Sequence, residues 1–98
     1  MKNIHNESTE RFLKAILNLE SIEECKRFFE DICTIKELQD MSQRLDVALL
    51  LNEGNSYQEV LAKTGVSTAT ISRVNKCLNY GSGGYKEAIG KFSSKEIN

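Results

Sequence analysis

The chain has 98 residues, 40% apolar and 28% charged, with no proline, no tryptophan and a formal net charge of −1. That length admits one domain with a core of its own. It sets aside both a disordered tail and a loop-rich β fold, whose turns and edges favour proline. The charge is uneven, since residues 1–54 carry eleven acidic against seven basic side chains (net −4) and residues 55–98 three against six (net +3), which points a polyanionic partner at the second half.

Phe12, Leu13, Ile16, Leu17 and Leu19 recur at helical spacing and predict a first helix over about 7–19. Ser21-x-x-Glu24 is a capping box, in which a hydroxyl and a carboxylate satisfy the free amides of a helix start. The second helix follows, with Ile22, Cys25, Phe28, Phe29 and Ile32 on one stripe. Thr34-x-x-Glu37 is a second box and opens the longest helix, about 35–53, with apolar Ile35, Leu38, Met41, Leu45, Ala48, Leu49 and Leu51. From Leu45 to Leu51 that helix is apolar nearly all round, so it needs cover on more than one side, and a second copy of the chain is the natural cover. Gly54 ends it.

Ser56-Tyr57-Gln58-Glu59 is a third capping box and starts a short helix reaching about Thr64. Gly65-Val66-Ser67 breaks it, and a further helix runs from Thr68 to about Leu78. Gly81-Ser82-Gly83-Gly84 reads as a joint, Tyr85 to Phe92 as a weak last helix, and 93–98 as a disordered tail. The expected fold is all-α, with five or six helices and no strand. It is read as one domain made of N-terminal helices (1–34), a central helix (35–54), a helix–turn–helix segment (56–79), the weak helix (85–92) and the tail.

The helix–turn–helix segment carries the functional reading. Val60 and Leu61 are placed inward, Val66 plugs the corner, and Ile71, Val74 and Leu78 bury one face of the second helix. The opposite face offers Thr68, Ala69, Ser72, Asn75 and Lys76, which are small, polar or basic. An α-helix fits the major groove, and short side chains at its start bring it close to base edges. Ser67 as N-cap leaves amides at the helix start for a phosphate. An αα-corner that binds nothing would share the spacing but has no need of this set of side chains.

Val60-Leu61-Ala62-Lys63-Thr64-Gly65-Val66-Ser67-Thr68-Ala69-Thr70-Ile71-Ser72-Arg73-Val74 resembles many bacterial repressor helix–turn–helix segments. Its continuation to Gly81, with three helices upstream, is similar to the Trp repressor superfamily and closest to its YerC/YecD-type branch, from about Ile35 to Gly81. The resemblance implies an intertwined, all-helical homodimer whose two recognition helices enter successive major grooves of a pseudo-palindromic operator. It also matches Arg44 and Arg73 to the two arginines of that family's tryptophan pocket. Val74 stands where the family has a glycine that leaves room for the indole, and Cys77 replaces a serine that accepts from the ligand amine, for which a thiol is a poor substitute. No cofactor is therefore expected, and the effector pocket of Arg44, Arg73 and Cys77 is a secondary reading.

The expectation is a cytoplasmic, homodimeric, sequence-specific regulator of transcription, acting as a repressor on double-stranded DNA. Thr68, Ala69, Ser72 and Arg73 read bases; Gln58, Lys63, Thr70 and Lys76 contact phosphates, which positions without specifying. A helical protein-interaction module without DNA is the alternative of another class, favoured mildly by the pI of 5.8. A regulator dependent on tryptophan or another small effector is a variant of the first reading.

Enzyme and metal chemistry find little material. His5 is the single histidine, and Cys25, Cys33 and Cys77 form no CxxC pair. Cys25 and Cys33 read as core residues and Cys77 as partly buried, all reduced in a cytosolic protein. Asp46, Glu53 and Glu59 make no acid–base pair, and Gly81–Gly84 lacks the Gly-Lys-Ser/Thr ending of a phosphate loop. The longest aliphatic run, Val47 to Leu51, falls far short of the roughly 20 residues that span a bilayer, and the first six residues lack the apolar stretch of a secretory signal.

Overall fold

The computed structural model of the chain describes residues 5–96 and contains, among them, six α-helices and no strand. They are α1 (Glu7–Leu17), α2 (Ile22–Ile32), α3 (Ile35–Asn52), α4 (Tyr57–Thr64), α5 (Thr68–Tyr80) and α6 (Gly84–Glu96). The chain divides into two compact units on either side of Leu38 and Gln39.

Local chemistry accounts for each start. Asn6 caps α1 by accepting from the Thr9 amide at 2.8 Å. Ser21 caps α2 by accepting from the Glu24 amide at 3.1 Å, while the Glu24 carboxylate reaches one residue past the box and accepts from the Glu20 amide. Thr34 and Glu37 form the full reciprocal box at 3.0 and 2.8 Å, and Ser56 and Glu59 do so at 3.2 and 2.7 Å. Each box satisfies amides that would otherwise have no intrahelical partner.

In the first unit α1 and α2 meet through Phe12 and Phe28, with ring centroids 6.0 Å apart, and Phe28 stands edge-on to Phe29 at 5.5 Å. Neither helix buries a residue completely. Cys25 and Cys33 are half-buried rather than core residues, since two helices alone offer no third layer to cover them.

The second unit holds the core: Val47 and Ala48 from α3, Val60 from α4, Val66 from the turn, Ile71, Val74 and Leu78 from α5, and Ile89 from α6. Leu49, Leu50, Leu51 and Tyr85 pack around it. Leu61, expected inward beside Val60, is 40% exposed; successive residues point about 100° apart on a helix, and Val60 takes the inward direction.

Two glycines are dictated by geometry. Gly65 ends α4 in the left-handed region at φ 72°, with its amide bonded to Leu61 O at 2.8 Å, a conformation that costs other residues about 1–2 kcal/mol. Gly81 ends α5, and a Cβ there would collide with the Cys77 carbonyl oxygen. The last helix departs from expectation: it begins at Gly84 and continues past Phe92 to Glu96 into the segment read as a tail. No proline or glycine follows Gly90 to stop it. Residues 1–4, 97 and 98 lie outside the described residues.

Candidate nucleic-acid interface

The turn between α4 and α5 is built so that α5 shows one face outward. Gly65 reverses the chain, Val66 sinks into the core, and Ser67 caps α5 by accepting from the Thr70 amide at 3.2 Å. Val66 is tethered as well, its amide donating to the Thr64 hydroxyl at 3.2 Å while that hydroxyl donates to Val60 O at 2.7 Å. With the corner held at three points, Ile71, Val74 and Leu78 face the core.

The four residues expected to read bases, Thr68, Ala69, Ser72 and Arg73, are all exposed, and Lys76 lies beside them one turn further on. Thr70 is half-buried and its hydroxyl accepts from Ser67 at 3.1 Å, so it serves the cap as well as the outer surface. Gln58 is exposed in the first turn of α4. Lys63 is exposed too, but its ammonium is engaged, donating to Asn55 Oδ1 at 3.0 Å.

Electrostatics favour an anion at this end of α5. Its first turn carries no acidic residue, whereas those of α1, α2, α3, α4 and α6 each carry at least one. The positive end of the α5 dipole is thus left without a carboxylate of its own. The nearest helix start differs: the Glu59 carboxyl is held below its ordinary value, first by the Ser56 amide and then by the Ser56 hydroxyl, with Lys63 a smaller contribution.

The outward face also extends further than the sequence reading took it. Asn79 donates through Nδ2 to both the carbonyl and Oδ1 of Asn75, at 2.9 and 3.0 Å, which braces a polar row along α5. Tyr80 ends the helix 85% exposed. The i, i+4 spacing of the two asparagines was the available signal.

The residues matched to an effector pocket differ in exposure. Arg44 is half-buried on α3, Arg73 exposed on α5 and Cys77 half-buried. Val74, beside Arg73, is 2% exposed and belongs to the core. A groove of about 310 Å³ in this unit is lined by Asp46, Leu49, Leu50, Glu53, Lys63 and Thr64. Among the described residues no three His, Cys, Asp or Glu side chains group as a metal site, and no helix is long and apolar enough to cross a membrane.

Comparison with known proteins places this geometry in context. Residues 7–93 match the family model described as the Trp repressor protein. The Bacillus subtilis protein YerC, itself uncharacterized, is 46% identical over 93 residues, covering 95% of this chain and 89% of YerC. A Trp operon repressor homolog of Xylella fastidiosa is 35% identical over 65 residues, 65% of this chain and 71% of that protein. Among solved structures, a TrpR-like protein from Eubacterium eligens superposes with a TM-score of 0.88 at 44% identity, covering 92% of this chain and 93% of its own. A Staphylococcus aureus protein described as a candidate Trp repressor gives 0.87 at 39% identity, with 91% and 89% covered.

Proposed function

The chain belongs to the Trp repressor family, a family of regulators rather than enzymes, and from that premise we propose that it is a cytoplasmic homodimer that binds a pseudo-palindromic DNA operator in a sequence-specific way and represses transcription. The observation that carries this reading is the division of α5. Its Ile71, Val74 and Leu78 are locked into the core while Thr68, Ala69, Ser72, Arg73 and Lys76 stand exposed behind a capped, carboxylate-free start. Thr68, Ala69, Ser72 and Arg73 enter the major groove; Gln58, Thr70 and Lys76 take phosphates.

The dimer is supported by what the single chain leaves uncovered. Leu17 is 82% and Ile35 77% exposed, with Ile22 and Ile32 also on the surface, an apolar area that a second copy would remove from water. Two copies would present two α5 helices, and their reach would suit half-sites about 34 Å apart.

No corepressor is assigned. Val74 is buried in the core, and its isopropyl group at the position where the family has a glycine supports operator binding that is independent of tryptophan. The test is selection of duplexes from a random pool at about 150 mM salt, with and without L-tryptophan. A pseudo-palindromic winner in both arms is the expected result. Enrichment only with tryptophan would overturn the ligand-free reading, and no enrichment in either arm would favour a helical module with a protein partner.

A further inference from the structure

We propose that Lys63 is not a phosphate contact: with Asn55 it forms a positioning pair that latches the α4–α5 segment to the end of α3. The inference rests on the DNA-binding reading above and assigns two of this chain's residues to it. Asn55 follows the glycine that ends α3, and both its donors go to one atom: the backbone amide and Nδ2 bond the Leu50 carbonyl at 3.1 and 2.9 Å. The residue is half-buried. Its amide plane is therefore held by α3, and the remaining acceptor, Oδ1, receives the Lys63 ammonium at 3.0 Å from the last turn of α4.

The surroundings oppose a phosphate at this ammonium. Lys63 shares its groove with Asp46 of α3 and with Glu53 just past the end of that helix, and Glu59 lies one turn before it on α4 and feels its charge. A phosphate approaching along this groove would meet the charges of Asp46 and Glu53 as well as the ammonium. Lys76, by contrast, stands on the outer face of α5, a helix that carries no acidic residue along its length. A hydrogen bond from an ammonium to a fixed amide oxygen has direction, and this one spans the only turn through which α3 and α4 are joined along the chain. Its role is to set the angle at which α4, and α5 behind it, leave α3. In a dimer built on α3 that angle sets the separation of the two reading helices.

The test uses the full chain with Lys63→Met, Asn55→Ala and both together. In unfolding of the DNA-free protein, the double variant should lose no more than the more damaging single one, because the shared bond is lost once. On the selected operator, Lys63→Met should weaken binding roughly three- to tenfold while the slope of log affinity against log salt stays at the wild-type value. On operators with the half-site spacing one base pair longer or shorter, Lys63→Met should discriminate against the altered spacing less than the wild type does, and equal discrimination would overturn the positioning role. A slope lower by about one per protomer would make Lys63 a phosphate contact and overturn the proposal; additive losses in the unfolding cycle would overturn the latch itself. A coupled cycle in a wild-type protein that binds no DNA would leave the latch as a structural bond. It would refute the DNA-binding reading, and with it the positioning role.

Discussion

Arg73 and Lys76 leave the same face of α5 three residues apart, and their chemistry assigns them different work. A guanidinium matches the two acceptors on a guanine edge, whereas an ammonium is a point charge suited to a phosphate. Arg73→Ala should relax base preference and cost about 1–3 kcal/mol on the operator. Affinities measured on operator and random duplexes test this, and equal losses on both would remove the base-reading role. Lys76→Ala should weaken every sequence alike and lower the salt slope by about one per protomer. A titration series across ionic strength reads that slope, and an unchanged value would count against the contact.

At the scale of the element, the caps and one turn decide where α4 and α5 lie. A Cβ added at Gly65 has no neighbour within 4 Å, so Gly65→Ala would meet open space and lose stability only through its backbone at φ 72°. The expected loss is about 1–2 kcal/mol, with the fold retained and read by chemical denaturation; a neutral result would mean the turn relaxes. The box at Ser56 and Glu59 makes stability depend on pH. Because the folded protein holds the Glu59 carboxyl below its ordinary value of 4.5, the stabilisation is complete above that value and is lost as pH falls through the lower, folded one. Glu37, held down by Thr34 in the same way, adds to the effect. Melting of wild type and Glu59→Gln from neutral pH to about pH 3 should show the gap between them closing in acid. A gap that stays constant would mean the carboxylate charge contributes nothing.

For the whole molecule, the decisive feature is the contrast between the two units. The second has a closed core from Val47 to Ile89; the first has helices with no buried residue and several large apolar side chains in water. A protein that covers such surface with its own copy should sediment as a dimer. Its melting temperature should rise with concentration, since mass action then links folding to association. A monomer with concentration-independent melting would remove the dimer, and with it the paired half-sites.

Much of this fold is local and was therefore legible. A cap acts within four residues, so the boxes at Ser21, Thr34 and Ser56 and the N-cap Ser67 announced four helix starts, and the three-then-four spacing of Ile71, Val74 and Leu78 named the buried face of α5 before any packing was known. Other features depend on what lies beside a residue in space. Neighbouring Val60 and Leu61 are equally apolar, yet only contact with α3 and α5 could select Val60 for the core and leave Leu61 in water. Lys63 is one more surface lysine until the end of α3 brings Asn55 within 3.0 Å of it. The sequence alone determined the helices, their starts and the chemistry of the outward face, because those follow from backbone hydrogen bonding and periodicity over short stretches. Only the tertiary structure decided which of two adjacent apolar residues is covered, how far α6 runs, and which partner the Lys63 ammonium takes, because the sequence signals of periodicity and capping do not reach beyond their own helix.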